Sequence, residues 1–256
     1  MTSRLEGRTA LVTGSTGGIG VAIARAFAAE GAHVLVSGRD AERGEKVAAG
    51  IAEEGGRATF LRADLTTGAA VRELAEAAER EAGGALDILV NNAALLIFPS
   101  PTTDLAEELI DAALAVNIKA PMLLTGLLAP GMAARGSGAI VNLGSINGLD
   151  GMAGSALYST TKAAVHSLTK SWAAEYGPSG VRVNTVAPGP TFTERIAGSD
   201  QALERVQPML ATIPSRRAST PEEIANAVLF LAGDDALNIH GTTLSVDGGY
   251  SAVRSA

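Results

Sequence analysis

The stretch Thr13-Gly14-Ser15-Thr16-Gly17-Gly18-Ile19-Gly20 stands between a short β-branched run and a segment with helical periodicity. Glycines at 14, 18 and 20 let backbone amides approach a ligand closely, and the helix that begins there adds partial positive charge. A turn that only joins a strand to a helix is the alternative interpretation. No Gly-Lys-Ser/Thr triplet follows, so the loop is not a mononucleotide P-loop. Its position in the first strand–helix unit predicts a site for the diphosphate of a dinucleotide.

Outward from this loop, short apolar runs alternate with longer helical segments. The runs are continuously apolar, as is typical of strands buried on both faces of a parallel sheet. The predicted strands are Thr9–Thr13, His33–Ser37, Ala58–Arg62, Asp87–Val90, Ala139–Leu143, Val181–Val186 and Thr243–Val246. Helical spacing marks Ile19–Glu30 and Val71–Ala82, while Thr220, Pro221 and Glu223 predict a capped helix start. The pattern predicts an α/β fold, a doubly wound parallel sheet of about seven strands in a three-layer sandwich with helices on both faces.

Composition limits the class of protein. The 256 residues carry a net charge of −7 and no cysteine, which argues against nucleic-acid or anionic-membrane partners and excludes thiolate catalysis. No linker-like tract divides the chain, so a single domain over residues 1–256 is predicted. The charged start of the chain and the lack of an obvious membrane-spanning run predict a cytoplasmic protein. His33, His166 and His240 have no ligand-like neighbours, so they are interpreted as structural and no metal site is predicted.

The end of the second predicted strand indicates which cofactor is bound, because the adenosine ribose of a dinucleotide lies there. The chain at that point is Val36-Ser37-Gly38-Arg39-Asp40. An arginine there can pair with a 2′-phosphate, which predicts NADP(H) in preference to NAD(H). Two alternatives stay open: Arg39 is only an exposed strand end, or Asp40 is the acid that holds the ribose hydroxyl of NAD.

Three residues in the second half of the chain predict the chemistry. Ser145 ends the fifth predicted strand, and Tyr158 and Lys162 are four residues apart on one helix face. A tyrosine is a poor proton carrier at neutral pH because its ordinary pKa is about 10, and a nearby ammonium is expected to lower that pKa. The serine hydroxyl is placed to hold a substrate oxygen. Tyr-x-x-x-Lys alone also occurs on solvated helices, but beside a glycine loop the set predicts an oxidoreductase.

In order along the chain, these motifs resemble the classical short-chain dehydrogenase/reductase family from Gly7 to about Tyr250. The resemblance rests on Thr13-Gly14-x-x-x-Gly18-x-Gly20, Asp64-Leu65, Asn91-Asn92-Ala93-Ala94, Asn117, Ser145, Tyr158-x-x-x-Lys162, Pro188-Gly189 and Asp247-Gly248-Gly249. It implies a Rossmann fold and hydride transfer, as in 3-oxoacyl-acyl-carrier-protein reductases and carbonyl reductases. Two positions depart from the family pattern: Ala94 replaces the usual glycine, and Gly17 stands where NADP-preferring members often have a basic residue.

The resemblance also implies a role for each site residue. Tyr158 is the general acid in reduction and the base in oxidation, and Ser145 orients the carbonyl oxygen. Lys162 binds the nicotinamide ribose, and Asn117 holds a water that links Lys162 to solvent. The implied cofactor contacts are Gly14, Ser15, Thr16, Gly18, Ile19, Gly20, Arg39, Asp64, Leu65, Asn91, Ala93, Tyr158, Lys162, Pro188, Gly189, Thr191 and Thr193.

The substrate side is predicted to be mainly apolar, which favours a small to medium ketone or oxoacyl substrate. The predicted pocket residues are Leu95, Leu96, Ser145, Ile146, Asn147, Met152, Tyr158 and Phe192. Residues 191–215 are predicted to form a mobile lid over that pocket, with residues 195–216 contributing to its wall.

Two alternative functions stay open, and the family resemblance also implies an oligomeric state. An NAD-dependent sugar or polyol dehydrogenase would use the same machinery. A sensor of nicotinamide redox state would bind the cofactor without turnover, but it would not need an intact acid–base set. The resemblance implies a homotetramer or a homodimer, paired through helices at Asp104–Asn117 and Ala156–Tyr176.

Overall fold

A computed structural model describes residues 3–194 and 207–253, and a sheet of seven parallel strands forms its centre. The strands are β1 (Thr9–Thr13), β2 (His33–Gly38), β3 (Arg57–Arg62), β4 (Ile88–Asn91), β5 (Gly138–Leu143), β6 (Val181–Pro188) and β7 (Thr243–Val246). Their order is β3-β2-β1-β4-β5-β6-β7, and all neighbouring pairs are parallel. The predicted doubly wound α/β fold is therefore confirmed.

The helices of the described ranges lie on both faces of this sheet. Among them are α1 (Gly18–Ala29), α2 (Ala41–Glu53), α3 (Gly68–Ala82), α4 (Glu107–Leu114), α5 (Ala120–Arg135), α6 (Ala156–Tyr176) and α7 (Pro221–Ala232). A π-helical turn, Ala115–Lys119, joins α4 to α5, and short 3-10 turns stand at Thr102–Asp104, Ile146–Gly148, Gly177–Ser179 and Asp234–Ala236. The predicted start of α7 is confirmed, because Thr220 and Glu223 form a complete capping box.

The continuously apolar strands are explained by two cores, one on each face of the sheet. On one face Val12 and Val36 pack with α1 and α7. On the other face Leu11 and Leu35 pack with α3, α5 and α6. Successive residues of one strand thus enter opposite cores, and for that reason period-two alternation is missing from the sequence.

The helical stretch Glu107–Arg135 corrects one expectation. It contains an 18-residue window of mean hydropathy 1.6, so by length and composition it reaches the membrane-spanning range that the sequence analysis considered absent. In the described fold it consists of α4, the π turn and α5, and 44% of that window is buried. Leu124, Leu128 and Met132 pack into the core beside the sheet, as in a core helix.

The two ends of the segment that contains the predicted lid are hydrogen-bonded to each other. Thr191 and Ser219 form an isolated parallel bridge, and the Phe192 amide donates to the Ser219 carbonyl oxygen at 2.8 Å. Residues 195–206 of the lid and of the predicted pocket wall lie outside the described residues. The single domain over 1–256 and the lid at 191–215 thus stay predictions.

Candidate active site

The glycine loop follows β1 and is held in place by the loop that follows β4. The Thr13 hydroxyl donates to Val90 O at 3.2 Å and accepts from the Asn92 and Ala93 amides at 3.0 and 3.1 Å. The Asn92 side-chain amide donates to Thr13 O at 2.8 Å and Gly14 O at 3.1 Å. Asn92 was quoted in the sequence motif but not predicted as a site residue, although it fixes the base of the loop.

Two glycines of the loop are required for steric reasons. Gly14 has φ +64°, and a Cβ there would lie 2.7 Å from Ala93 Cα. A Cβ on Gly20 would collide with Gly14 O, and it would lie 2.7 Å from both Ser15 Cα and Asn92 Nδ2. The predicted residue Gly14 thus packs closely against both Ala93 and Gly20.

Ser15, a predicted cofactor residue, is fully buried and occupied by protein partners. Its hydroxyl donates to Val12 O at 2.6 Å and accepts from the Ser37 amide at 2.9 Å. Its own amide donates to Ser37 O at 3.0 Å. The side chain therefore ties the loop to β2, and a contact with the cofactor stays a prediction.

The start of α1 fits the diphosphate of a dinucleotide. Its N-cap is Gly17, with no side-chain cap and no acidic residue in the first turn. By contrast, side chains cap α2 and α3 through Asp40 and Thr67. The first amides of α1 thus have no side-chain acceptor, which leaves them and the positive end of the helix dipole for an anion. Thr193 stands nearby, with its methyl carbon 3.4 Å from the position of a Cβ on Gly18.

Three arginines surround the end of β2. Arg39 follows the strand, and Arg62 at the end of β3 donates through Nε to Arg39 O at 3.2 Å. Arg43, on the first turn of α2, places Nη2 2.8 Å from the position of a Cβ on Gly17. None of the three forms a carboxylate ion pair within the described residues. Arg43 and Arg62 were missed because their proximity to the loop depends on the fold and not on spacing.

Asp40, which in the alternative interpretation holds the ribose hydroxyl of NAD, forms a helix cap in the structure. Its Oδ1 accepts from the Arg43 amide at 3.1 Å and caps α2. Farther along the cleft, Asp64 Oδ1 accepts from the Thr66 amide at 3.1 Å, and Leu65 is buried. Asn91 donates to Asn142 Oδ1 at 2.8 Å, while its own Oδ1 is buried without a protein partner.

Ser145, Tyr158 and Lys162 are brought together at the ends of β5 and α6. Ser145 N-caps the 3-10 turn, its Oγ accepts from the Asn147 amide at 3.2 Å, and its hydroxyl hydrogen-bonds the Tyr158 side chain. Lys162 Nζ donates to Leu143 O at 2.7 Å and lies 5.7 Å from the centre of the Tyr158 ring. The ring and the ammonium therefore share one face of α6, as their spacing predicts.

The ionisation of this group differs from the sequence expectation. Burial raises the pKa of Tyr158 above its ordinary value, and the hydrogen bond from Ser145 acts in the opposite direction. The expected lowering of the Tyr158 pKa by Lys162 is thus wrong. Burial also lowers the pKa of Lys162 to about 8. Both shifts have one cause, because an apolar environment disfavours the charged form of each group.

Asn117 lies in the π turn, where its side chain joins two segments of the site. Its Oδ1 accepts from the Leu95 amide at 2.7 Å, and its Nδ2 donates to Leu95 O at 3.1 Å and Thr161 Oγ1 at 3.2 Å. The side chain therefore clamps the loop after β4 to α6. The water-holding role that the resemblance implies for Asn117 stays a prediction.

The loops after β4, β5 and β6 carry the predicted substrate residues. Met152 and Phe192 are exposed, Leu96 is also exposed, and Leu95 and Asn147 are half-buried. Ser100 N donates to Gly154 O at 2.8 Å and joins the first two loops. Ile146 is buried, so it belongs to the core and not to an open pocket wall. Exposed Phe98 and Leu149 extend the apolar surface beyond the predicted set.

The residues expected at the nicotinamide end follow β6. The Gly189 amide donates to Val246 O at 3.0 Å, and a Cβ on Gly189 would lie 2.7 Å from the Asp247 side chain. Thr191 is buried, and its hydroxyl donates to Gly189 O at 3.1 Å. Pro188 and Gly189 thus pack against the turn after β7, at the same edge of the sheet as Ser145.

Comparison with known proteins gives matches along nearly the whole chain. A family model described as enoyl-(acyl carrier protein) reductase, of the short-chain alcohol dehydrogenase type, matches residues 14–251. The cis-4-hydroxycyclohexanecarboxylate dehydrogenase of Sinomonas cyclohexanicum is 41% identical over 246 residues, which cover 96% of this chain and 97% of that protein.

Solved structures match as well. A short chain dehydrogenase/reductase family protein is 47% identical with a TM-score of 0.87, covering 98% of this chain and 100% of that one. A structure described as a putative NAD(P) dependent gluconate 5-dehydrogenase from Beutenbergia cavernae, with NADP bound at low occupancy, is 39% identical. Its TM-score is 0.92, and the match covers 99% of this chain and 100% of that one.

Proposed function

The chain belongs to the classical short-chain dehydrogenase/reductase family and is an oxidoreductase that acts on alcohol or ketone substrates, and from this premise we propose the rest of its function. It transfers a hydride between NADP(H) and the carbonyl or alcohol carbon of a small to medium, largely apolar substrate. Tyr158 carries the proton. The observation that carries this proposal is that Ser145, Tyr158 and the buried Lys162 meet at the same carboxyl edge of the parallel sheet as the uncapped start of α1.

The nicotinamide, when bound, supplies or accepts the hydride at the reacting carbon. In reduction, the Tyr158 hydroxyl gives its proton to the carbonyl oxygen. The raised pKa of Tyr158 keeps that proton in place at neutral pH, so the residue is ready to act as an acid. The Ser145 hydroxyl, beside Tyr158, donates to the same oxygen and holds it in line. In oxidation the proton returns to Tyr158.

Lys162 provides the positive charge of the site. Its ammonium lies close enough to the Tyr158 ring to favour the phenolate as the proton leaves. Lys162 Nζ, which donates to Leu143 O, would also hold the nicotinamide ribose of a bound cofactor. Asn117 keeps α6 and the loop after β4 at the separation that this arrangement needs.

The preference for NADP(H) is supported by charge. Arg39, Arg43 and Arg62 bring three guanidinium groups, without carboxylate partners among the described residues, to the end of β2. Guanidinium groups bind phosphate through paired hydrogen bonds, whereas a ribose hydroxyl gains little from them. The commitment of Asp40 to the cap of α2 weakens the case for NAD.

The substrate class is supported by the apolar side chains around the mouth of the site. Leu96, Met152 and Phe192 expose 43%, 44% and 38% of their surface and carry no charge. The hydroxyl groups of a sugar would find no hydrogen-bond partners on these three side chains. We therefore favour an aliphatic or alicyclic ketone over a sugar. The Sinomonas relative, named for a hydroxycyclohexane substrate, agrees with this choice.

The lid, the assembly and the location are also part of this proposal. Residues 191–215 close over the substrate from a base fixed at Thr191 and Ser219. Two copies pair through the helices at about Asp104–Asn117 and Ala156–Tyr176, where Leu114 is exposed, and the assembly is a homotetramer or a homodimer. The protein acts in the cytoplasm, without nucleic-acid or membrane partners.

The experiment that tests the function has two parts. First, fluorescence titration with NADPH and NADH measures the dissociation constants. Second, ketones of rising polarity, from cyclohexanones to ketoses, are assayed by the absorbance of reduced nicotinamide. NADPH binding with turnover of cyclic ketones is the expected result. Turnover of ketoses alone would favour the polyol dehydrogenase, and binding without turnover over the whole panel would favour the sensor.

A further inference from the structure

His166 lies beneath the catalytic serine. It is on α6, one turn after Lys162, and only 5% of its surface is exposed. Its Nε2 is 3.3 Å from the Ser145 amide nitrogen, and its Nδ1 is 3.5 Å from Thr243 Oγ1. From the sequence alone His166 is interpreted as a structural histidine, and no motif of the chain assigns it a role.

These contacts fix the state of the ring. A backbone amide can only donate, so Nε2 must accept and carry no proton. The remaining proton of the neutral ring is then on Nδ1, which donates to the Thr243 hydroxyl. A doubly protonated ring would set an N–H against the Ser145 N–H and leave that amide without its acceptor.

The surroundings keep the ring neutral. Burial is the main cause that lowers the pKa of His166, followed by the charges of Lys162 and Lys170 on the same helix. The elements packed against it contribute Gly144 and Ser145 after β5, Thr185 on β6 and Thr243 on β7, none of which carries a charge.

The fit of the ring against the backbone is close. A Cβ on Gly144 would collide with His166 Nε2 and would lie 2.7 Å from Thr185 Cγ2. The ring therefore lies directly against the backbone of Gly144, which joins β5 to Ser145. A change in its hydrogen bonding is transmitted directly to the residue that holds the substrate oxygen.

We propose that His166 is a positioning residue for Ser145, and that protonation of its ring releases the Ser145 backbone and sets the acid limb of ketone reduction. The second half of this statement rests on the proposed function. Tyr158 and Lys162 give no such limb, because both keep their protons as the pH falls below neutral. The Ser145 oxygen moves when its amide loses the acceptor, and substrate orientation is then lost.

The first test does not need turnover. In protein labelled with ¹⁵N and ¹³C, the ring nitrogens of His166 are identified by their disappearance in His166→Gln. We expect a proton on Nδ1 at pH 8, and a Ser145 amide shift that changes with the midpoint of the His166 titration. A proton on Nε2, or a Ser145 amide that does not follow the titration, would overturn the proposal even if the protein reduces no ketone.

The second test is the pH profile of kcat from pH 8 down to one pH unit below the midpoint that NMR gives for His166. The wild-type kcat should fall about tenfold one pH unit below the midpoint measured by NMR. His166→Gln offers a non-titrating acceptor near Nε2 and should remove the acid limb with kcat at pH 8 nearly unchanged. His166→Leu should lower kcat roughly tenfold at pH 8, because the Ser145 amide is left unpaired.

His33→Gln is the matched control. His33 is also buried, and burial also lowers its pKa, but it begins β2 at the opposite edge of the sheet. Its variant should keep the wild-type acid limb. An acid limb that persists in His166→Gln, or that disappears in His33→Gln, would refute the assignment. If His166→Leu does not fold, the pH profile of His166→Gln still decides it.

Discussion

The Lys162 ammonium lies 5.7 Å from the centre of the Tyr158 ring, and its nearest hydrogen-bond partner is the carbonyl oxygen of Leu143, at 2.7 Å. No carboxylate pairs with this lysine among the described residues. A buried cation without a counter-ion is costly, and such groups persist where they serve a reaction. The site is therefore expected to exchange stability for activity.

Lys162→Met should show that exchange directly. Methionine has a similar length and no charge, so the variant avoids the cost of burying an ammonium. It also loses the hydrogen bond from Lys162 to Leu143 O, which offsets part of the gain in stability. We expect the free energy of unfolding at pH 7 to rise by roughly 1 kcal/mol, while ketone reduction falls at least a hundredfold. Urea denaturation and steady-state kinetics measure the two effects.

The pH dependence of that gain follows from the pKa of Lys162, which is about 8 in the folded protein and lies below its ordinary value of 10.5. Between these values the unfolded chain binds more protons, so the wild-type protein gains stability as the pH rises. The advantage of Lys162→Met should shrink from pH 7 to pH 9.5. Lys170→Met, on the exposed face of α6, should change little at either pH.

Tyr158→Phe should separate chemistry from binding. The variant keeps the ring that packs beside Lys162 but removes the proton carrier. We expect kcat for reduction to fall by roughly 10³-fold or more, while the dissociation constant for NADPH changes less than about threefold. Isothermal titration and single-turnover absorbance measure these quantities. A kcat close to that of the wild type would exclude Tyr158 as the acid.

The two reaction directions should respond oppositely to pH. Burial raises the pKa of Tyr158, so reduction keeps its acid over the neutral range, whereas oxidation requires the phenolate. The kcat/KM for reduction should decline above pH 8, as Lys162 loses its proton, and that for oxidation should rise from pH 7 to 10. Lys162→Arg keeps its charge at higher pH and should move the decline upward. If Lys162→Arg shows the same pH profile as the wild type, the decline of kcat/KM above pH 8 is not caused by deprotonation of Lys162.

The sequence predicts this fold well because its signals are local. All seven strands occur where the apolar runs predict them, with ends that differ by two residues at most, and the helix that the family resemblance implies at about Ala156–Tyr176 has those bounds. The Tyr158–Lys162 pair is equally local, being set by one helix. The ionisation of Tyr158 was predicted with the wrong direction, because burial depends on residues far apart in the chain. For the same reason the roles of His166, Arg43 and Arg62 depend on the fold, which places them beside Ser145, Gly17 and Arg39, respectively.

Arg43 is the sharper test of cofactor preference, because only the structure brings it to the loop. Arg39→Asp should reverse the preference from NADPH to NADH, since it removes a guanidinium and repels the 2′-phosphate. Arg43→Gln should weaken NADPH binding roughly tenfold and leave NADH within about twofold. Arg25→Gln, on α1, is the control, because Arg25 pairs with Glu54. If Arg43→Gln weakens the binding of NADPH and NADH equally, the arginine supports the glycine loop and does not bind the 2′-phosphate.

Gly20→Ala tests whether the glycine loop is the cofactor site or only a connection between β1 and α1. The added methyl would collide with Gly14 O and would lie 2.7 Å from Asn92 Nδ2, and neither group can yield without moving the loop. We expect NADPH affinity to fall more than about tenfold, with a loss of stability of roughly 1–3 kcal/mol.

Gly126→Ala is the matched control for that variant, because a Cβ at Gly126 in α5 meets nothing within 4 Å. It should stabilise the protein by about 0.5–1 kcal/mol without changing affinity, since alanine is the better helix former. If Gly20→Ala loses stability but binds NADPH as the wild type does, the loop is a structural turn and the diphosphate must be held elsewhere. Loss of affinity at a temperature where both variants remain folded would assign the diphosphate to the loop.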